Sequence, residues 1–242
     1  MTLAIHGLRA RYAGLAAIFV LSAGVLTAEA QSQSRNLAPD FNSLPKGSTV
    51  VVMPTDIELF SISGGGVLEP KADWTEAASK HFKTALLEKQ KSLGLAHVEL
   101  SEKDADELAE VNAMHAAVAR AIALHHFGPS VLNLPTKAGK LDWSMGDSVR
   151  GVKTKTGADY ALFSWVRDSY ASGERVAAMI GLALLGIGIP GGVQTGYASL
   201  VDLNTGRVLW FNRLARGSGD LREAGKAAET LNALLNEFPA AK

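Results

Sequence analysis

The sequence predicts an α/β protein with one mixed β-sheet of about five strands, a carboxy-terminal β-hairpin and three to four covering helices. Two observations predict this class. Short β-branched runs alternate with helical patterns along the chain, and a tight-turn sequence separates two strand-like runs near its end. This order of elements is typical of a sheet covered by helices. Hydrophobic residues make up 47 % of the chain, enough for the core that such a fold buries.

The first 30 residues carry the three zones of an export signal. Arg9 and Arg11 form a positive region, an uncharged run of 14 residues covers 13–26, and Ala28-Glu29-Ala30 presents the small residues that signal peptidase reads. A bilayer span needs about 20 helical residues, so the run is short for a permanent anchor. We therefore expect cleavage between Ala30 and Gln31 and delivery to the periplasm; an uncleaved amino-terminal membrane helix is the alternative.

Cysteine and charge content exclude two classes of function. The chain has no cysteine, so the residue that carries the acyl chains of a lipoprotein is missing and the domain holds no disulfide. Its 24 basic and 24 acidic residues balance, so the chain lacks the positive surface that binds nucleic acid. Residues 31–46, with Pro39 and Pro45, predict a flexible arm, and 47–242 predict a single α/β domain.

The first half of this domain is predicted to hold two strands and the first helix. A β-branched run at 49–53 predicts a buried strand that Pro54 ends, and 55–71 predict a loop. Asp73, with Glu76 three residues later, predicts the capped start of a helix. Alternation over 96–100 predicts the second strand.

A long helix is predicted next, from about 104 to 126, and a shorter one over 145–156. Gly128-Pro129 ends the first and Gly157 the second. In the long helix, spacings of three and four place the following residues on one stripe: Leu108, Val111, His115, Val118, Ile122 and His125.

The last third of the chain predicts three strands and a final helix. Strand patterns cover 159–169, 197–203 and 207–214, and Asn204-Thr205-Gly206 predicts the turn that makes the last two a hairpin. Asp220 is predicted to cap the closing helix, which runs to Phe238.

A search for catalytic and ligand-binding patterns nominates no catalytic residue, cofactor or metal. The G-x-G-x-x-G match at 186–191 follows a predicted helix, whereas a dinucleotide site needs a strand before it and a helix after it. None of the six histidines pairs with another at i, i+4. His115 and His125 are therefore interpreted as packed or hydrogen-bonded helix residues.

One uncharged stretch needs a separate explanation. No charged residue lies between Arg175 and Asp202, and 176–189 are apolar on every face of a helix. Length and glycine content favour a buried crossover helix. An exposed patch that docks a partner or inserts shallowly in a membrane is the alternative, and Gly186, Gly188 and Pro190 make a membrane span too short. The candidate interaction surface comprises Met179, Leu182, Leu185, Ile187 and Ile189, together with the loop glycines Gly64, Gly65 and Gly66.

Two motifs in the last third resemble a group of cell-envelope proteins. These are the strand start Gly157-Ala158-Asp159 and the hairpin Val201-Asp202-Leu203-Asn204-Thr205-Gly206, with Trp210 after it. The layout resembles that of the amino-terminal domain of TolB, the curli secretion protein CsgG and the penicillin-binding-protein activator LpoB. The resemblance implies a non-enzymatic adaptor or assembly component of the envelope. The motifs are structural, so no functional residue is transferred.

The sequence thus predicts a non-catalytic periplasmic adaptor without a cofactor, whose partner is another envelope protein. A different hypothesis is a peripheral membrane or secretion-pore component that inserts 176–189. An enzyme of unrecognised type is the third, because sites assembled from distant residues escape motif searches.

Overall fold

A computed structural model describes residues 34–93, 96–98 and 100–241, all within one compact unit. The predicted signal peptide, 1–30, and its cleavage site lie outside the described residues. Within them the predicted α/β class is confirmed, with seven strands and six α-helices. The strands are β1 (Thr49–Val52), β2 (Asp56–Ile62), β3 (Leu68–Pro70), β4 (Ala96–Val98), β5 (Tyr160–Ala171), β6 (Gln194–Asp202) and β7 (Val208–Arg216). The helices are α1 (Ala72–Ser92), α2 (Glu102–Glu107), α3 (Ala109–His125), α4 (Arg150–Thr156), α5 (Gly173–Ala183) and α6 (Ala224–Leu234).

The sheet is mixed and built around the long strand β5. β1 and β2 follow one another along one edge of β5, both parallel to it, and β6 runs antiparallel along the other edge. β7 completes the predicted hairpin with β6. On the far side, β4 pairs with β1 and β3 with β2, so the sheet is five strands wide although it contains seven.

Each face of the sheet buries its own hydrophobic cluster. Successive β5 residues alternate between them: Leu162 joins the first cluster and Phe163 the second. α1 and α6 cover the first face through residues such as Phe82 and Leu231. α3 and α4 cover the second, where Ile122 and Val152 are fully buried. The domain is therefore a sheet between two helical layers.

The predicted loop over 55–71 contains two strands. Ile57 and Leu59 are buried and alternate with partly exposed residues along β2, while Glu58 forms an ion pair with Arg167 of β5 at 3.2 Å. Gly66, at φ +87°, lies in the turn into β3. Gly64, Gly65 and Gly66 therefore lie in a hairpin turn between β2 and β3. The sequence prediction missed this hairpin because the apolar alternation along β2 is short.

Helix boundaries also differ from the predictions. The predicted helix from 104 to 126 is two helices that meet at Leu108. The first begins at Glu102, because Ser101 caps it by accepting the Asp104 N–H at 3.1 Å. α1 begins one residue before Asp73, after Lys71. The closing helix begins at Ala224, and Asp220 instead binds Arg222 through its carboxylate.

The described part of the predicted flexible arm packs on the domain. Leu44 is fully buried in the first cluster, and Ala38 is buried beside it. The Phe211 N–H donates to the Asn36 carbonyl at 2.9 Å, which attaches this segment to β7. The apolar side chains of residues 34–46 therefore pack against the first cluster, and the flexibility of the arm stays a prediction.

Candidate interaction surface

The uncharged stretch forms a short helix and a loop that rise between β5 and β6. We call residues 176–190 the apolar crest; they comprise most of α5 and the segment that returns toward β6. α5 starts immediately after β5, because the Ser172 hydroxyl accepts the Arg175 N–H at 3.1 Å and so caps the helix. Glu174 lies in the first turn, where a negative charge suits the helix dipole.

Glycine ends this helix as the sequence predicts. Gly186 adopts φ +76°, a conformation that favours glycine. The Ile187 N–H donates to the Leu182 carbonyl at 3.0 Å, and the Gly186 N–H donates to the Ala183 carbonyl at 3.0 Å. These two bonds are the pair that defines a Schellman motif. The helical part of the crest is therefore too short to cross a bilayer.

The crest is exposed, so the interpretation as a buried crossover helix is wrong. Every residue of α5 is at least partly exposed. Leu184 and Leu185 have relative exposures of 85 % and 75 %, and Ile180 of 61 %. The helix covers the end of the sheet with one side only, because both faces of the sheet are already covered by other helices. This leaves several large apolar side chains in water at one place.

The residues predicted for the surface divide into two groups. Leu185 and Ile187 are exposed, and Met179, Leu182 and Ile189 are partly buried. The Met179 side chain closes against the return segment, since an added Cβ at Gly191 would lie 3.1 Å from the Met179 methyl carbon. Met179 thus holds the helix of the crest against the segment that returns toward β6.

The prediction missed the most exposed stripe of the helix. Val176, Ile180 and Leu184 follow one another at i, i+4 and i+8 and all three are exposed. Their spacing was present in the sequence. Which face of an all-apolar helix points outward, however, depends on how the helix packs against the domain. The sequence pattern does not show this.

The loop glycines lie beside the start of α5. An added Cβ at Gly64 would lie 3.4 Å from the Glu174 Cβ, and one at Gly66 would lie 3.5 Å from Arg175 Nη1. Gly65 is exposed at the turn. The structure therefore brings the predicted glycines next to the base of the crest, and the exposed side chains of Val67 and Leu68 extend the apolar surface there.

A buried polar group joins the two strand ends from which the crest rises. Asp168 of β5 accepts hydrogen bonds from Gln194 Nε2 at 2.6 Å and from the Tyr170 hydroxyl. Burial raises the pKa of the Asp168 carboxyl. Beside it, Ser169 Oγ donates to the Val193 carbonyl and accepts the Val193 N–H, at 3.1 and 3.0 Å. The end of β5 and the start of β6, between which the crest lies, are thereby held together.

Charge is confined to the base of the crest. Arg175 donates from Nη2 to the Pro190 carbonyl at 3.3 Å and so connects the beginning and end of the segment.

Among the residues that the structure describes, none of the helices has the length and hydropathy needed to span a membrane.

His115 and His125 occupy structural positions. His115 stacks on Phe163 at 4.6 Å, and its Nε2 lies 2.8 Å from Ser199 Oγ, as the packed-residue interpretation predicts. His125 Nδ1 lies 2.7 Å from the Leu132 carbonyl oxygen. Within the described ranges, no cluster of three or more His, Asp or Glu side chains is placed to hold a metal ion.

Solved structures with a similar arrangement come from bacterial proteins. The PelC dodecamer from Paraburkholderia phytofirmans is similar over 84 % of this chain and 94 % of its own, with 13 % identity and a TM-score of 0.38. Lipoprotein GNA1162 from Neisseria meningitidis is similar over 79 % and 97 %, with 16 % identity and a TM-score of 0.31. The LpoB C-terminal domain from Salmonella enterica is similar over 71 % and 87 %, with 14 % identity and a TM-score of 0.28.

These similarities are weak. LpoB was named by the sequence resemblance, and the resemblance to TolB and CsgG stays a prediction. Because the TM-scores are below 0.5, the superpositions carry no argument about partners or activity. No family model matches the chain, and no curated protein matches it.

Proposed function

We propose that this protein is a non-catalytic periplasmic adaptor that binds another cell-envelope protein through the apolar crest. One observation carries the proposal: the exposed stripe of Val176, Ile180 and Leu184 on a helix that turns no charged residue outward beyond its first turn. Large apolar side chains at i, i+4 and i+8 are the anchors that a helix presents to a hydrophobic groove. The partner therefore needs an apolar groove about two helical turns long.

The composition of the crest favours a protein partner over a lipid surface. Helices that lie in a membrane interface combine an apolar face with Lys or Arg on the opposite face, and aromatic residues mark the headgroup level. Residues 176–196 contain no Lys, Arg, Trp or Tyr. An uncharged contact on the crest is instead typical of the apolar centre of a protein interface.

Photo-crosslinking in cells tests the partner. A photoreactive amino acid replaces Leu184, or Val131 as a matched control, since both side chains are 85 % exposed but Val131 lies outside the crest. We expect one protein product from position 184 that position 131 does not give. Ile180→Asp in the same chain is expected to lower the yield about tenfold, because it places a charge in the apolar contact.

The control for this charge is Val131→Asp, which should leave the yield at position 184 unchanged. An unchanged crosslinking yield in Ile180→Asp contradicts the proposal. The absence of a protein product from position 184 also contradicts it. Thermal unfolding of both Asp variants should match that of the unchanged protein, because both positions are exposed.

Sedimentation with vesicles tests the membrane hypothesis. The purified protein is mixed with vesicles of phosphatidylethanolamine and phosphatidylglycerol and is expected in the supernatant. Co-sedimentation that Leu184→Asp abolishes would place the membrane hypothesis first.

Cell fractionation with mass spectrometry of the amino terminus tests export. A periplasmic product that begins at Gln31 is expected. A product that retains residues 1–30 in the membrane fraction would show that the predicted signal acts as an anchor.

A further inference from the structure

The carboxyl end of β1 borders a cleft that is separate from the crest. A cleft of about 380 Å³ opens between the residues that follow β1, the second half of α1 and the residues that follow β4. Pro54 lies on the first wall, Leu86 on the second, and Leu100 and Ala105 on the third. This volume is within the range of about 300–1,000 Å³ that is typical of small-molecule sites. The cleft shares no described residue with the crest.

The position follows from the topology of the sheet. β1 and β4 are parallel neighbours, and the helix that leads into β4 lies on the opposite face of the sheet from the long helix after β4. α1 belongs to the first hydrophobic cluster, whereas α3 belongs to the second. The carboxyl ends of parallel strands in open sheets are common positions for ligand crevices. The cleft is therefore built by the fold itself.

One polar side chain in this cleft lacks a partner. Gln90 is only 4 % exposed, and it lines the cleft among apolar residues. Neither its Nε2 nor its Oε1 has a hydrogen-bond partner among the residues that the structure describes. Buried polar groups are almost always hydrogen-bonded, because an unpaired donor or acceptor loses its interaction with water and gains nothing in return. The amide of Gln90 thus marks a place where a donor and an acceptor are both required.

We propose that this cleft binds a small molecule with an apolar chain and an uncharged amide group. An amide offers a carbonyl and an N–H side by side, which complement the N–H and carbonyl of Gln90. The apolar walls, Leu86 and Leu100 among them, receive the chain. A charged group next to Gln90 is disfavoured, because the charged residues of the cleft, Lys83 and Glu102, are exposed and an ion at depth would lack a counter-ion.

Two probes of the same chain length test the proposal on the full-length protein. Octanamide can both donate to and accept from Gln90, and N,N-dimethyloctanamide cannot donate. Calorimetric titration is expected to show about tenfold tighter binding of octanamide, since the hydrogen bond donated to Gln90 Oε1 is lost in the dimethyl amide. In ¹H–¹⁵N spectra, octanamide is expected to shift the Gln90 side-chain NH₂ signals.

Gln90→Met separates recognition from a structural role. The variant keeps the side-chain volume and removes the unpaired amide, so it is expected to fold and to bind both probes equally. Lys83→Met changes an exposed residue of the same cleft and is expected to retain the tenfold preference. Ala105→Trp fills the cleft from the α2 side and is expected to abolish binding of both probes.

Three results would overturn the proposal. They are an absence of octanamide binding to the unchanged protein, equal binding of the two probes, and a preference that persists in Gln90→Met. None of these outcomes depends on the crest, so the proposed adaptor function is tested independently.

Discussion

His115 shows how a single buried side chain connects stability to pH. It lies between α3 and the sheet, stacked on Phe163 and in contact with the Ser199 hydroxyl. Burial lowers the pKa of His115 to about 3, because the imidazolium would lose its hydration without gaining a counter-ion. The ring is therefore neutral in the folded protein over the physiological range.

The pKa of His115 predicts a loss of stability in acid. The unfolded chain binds a proton near pH 6.5, and the folded chain does not until about pH 3. The stability that His115 contributes is present above about pH 6.5 and is lost as the pH falls toward 3, at up to about 1.4 kcal/mol per pH unit. Urea unfolding of the unchanged protein and of His115→Gln, from pH 7 to 5, measures it.

His115→Gln keeps a polar group opposite Ser199 but does not titrate in this range. Between about pH 6.5 and 5, the free energy of unfolding is expected to fall less in His115→Gln than in the unchanged protein, by about 1.5 kcal/mol. Parallel curves for the two proteins would contradict the assignment.

At the scale of an element, the crest depends on its base. Arg175 donates to the Pro190 carbonyl, Met179 packs against Gly191, and Gly192 passes close to β5. An added Cβ at Gly192 would lie 2.0 Å from the Ser169 carbonyl oxygen. At Gly188 an added Cβ meets no described atom within 4 Å.

These two glycines provide a matched pair of substitutions. Gly192→Ala is expected to destabilise the protein by about 1–3 kcal/mol, because the backbone must move away from β5. Gly188→Ala is expected to change the free energy of unfolding by less than about 0.5 kcal/mol. Urea unfolding curves measure both. Equal effects of the two substitutions would show that the return segment does not pack closely against β5 at Gly192.

At the scale of the whole molecule, a segment before the first strand completes the core. Leu44 is buried against the first cluster and pairs with Ala241, near the end of the described residues. The hydrophobic core on the α1–α6 face therefore includes both the segment before β1 and the one after α6.

Truncation of Leu44 measures this contribution. Leu44→Ala is expected to lower the free energy of unfolding by about 2–5 kcal/mol, since the change leaves a cavity in a packed interior. Asn42→Ala, at an exposed position two residues earlier, should have an effect below about 0.5 kcal/mol. If the two variants unfold alike, residues 34–46 do not pack as described.

The sequence by itself determined the class of fold, the β6–β7 hairpin, the short helix ended by Gly186 and the shared helix face of His115 and Ile122. These features depend on periodicity and on glycine conformations, which act over a few neighbouring residues.

Only the tertiary structure decided which apolar surfaces are covered. The all-apolar sequence of 176–190 would suit a buried helix equally well. These residues are exposed because both faces of the sheet are occupied by α1, α3, α4 and α6. The same holds for Leu44, whose neighbours are far away in the chain, and for Gln90, whose unpaired amide appears only when α1 packs beside β1. Local patterns specify elements, whereas burial depends on what remains uncovered once distant elements have packed.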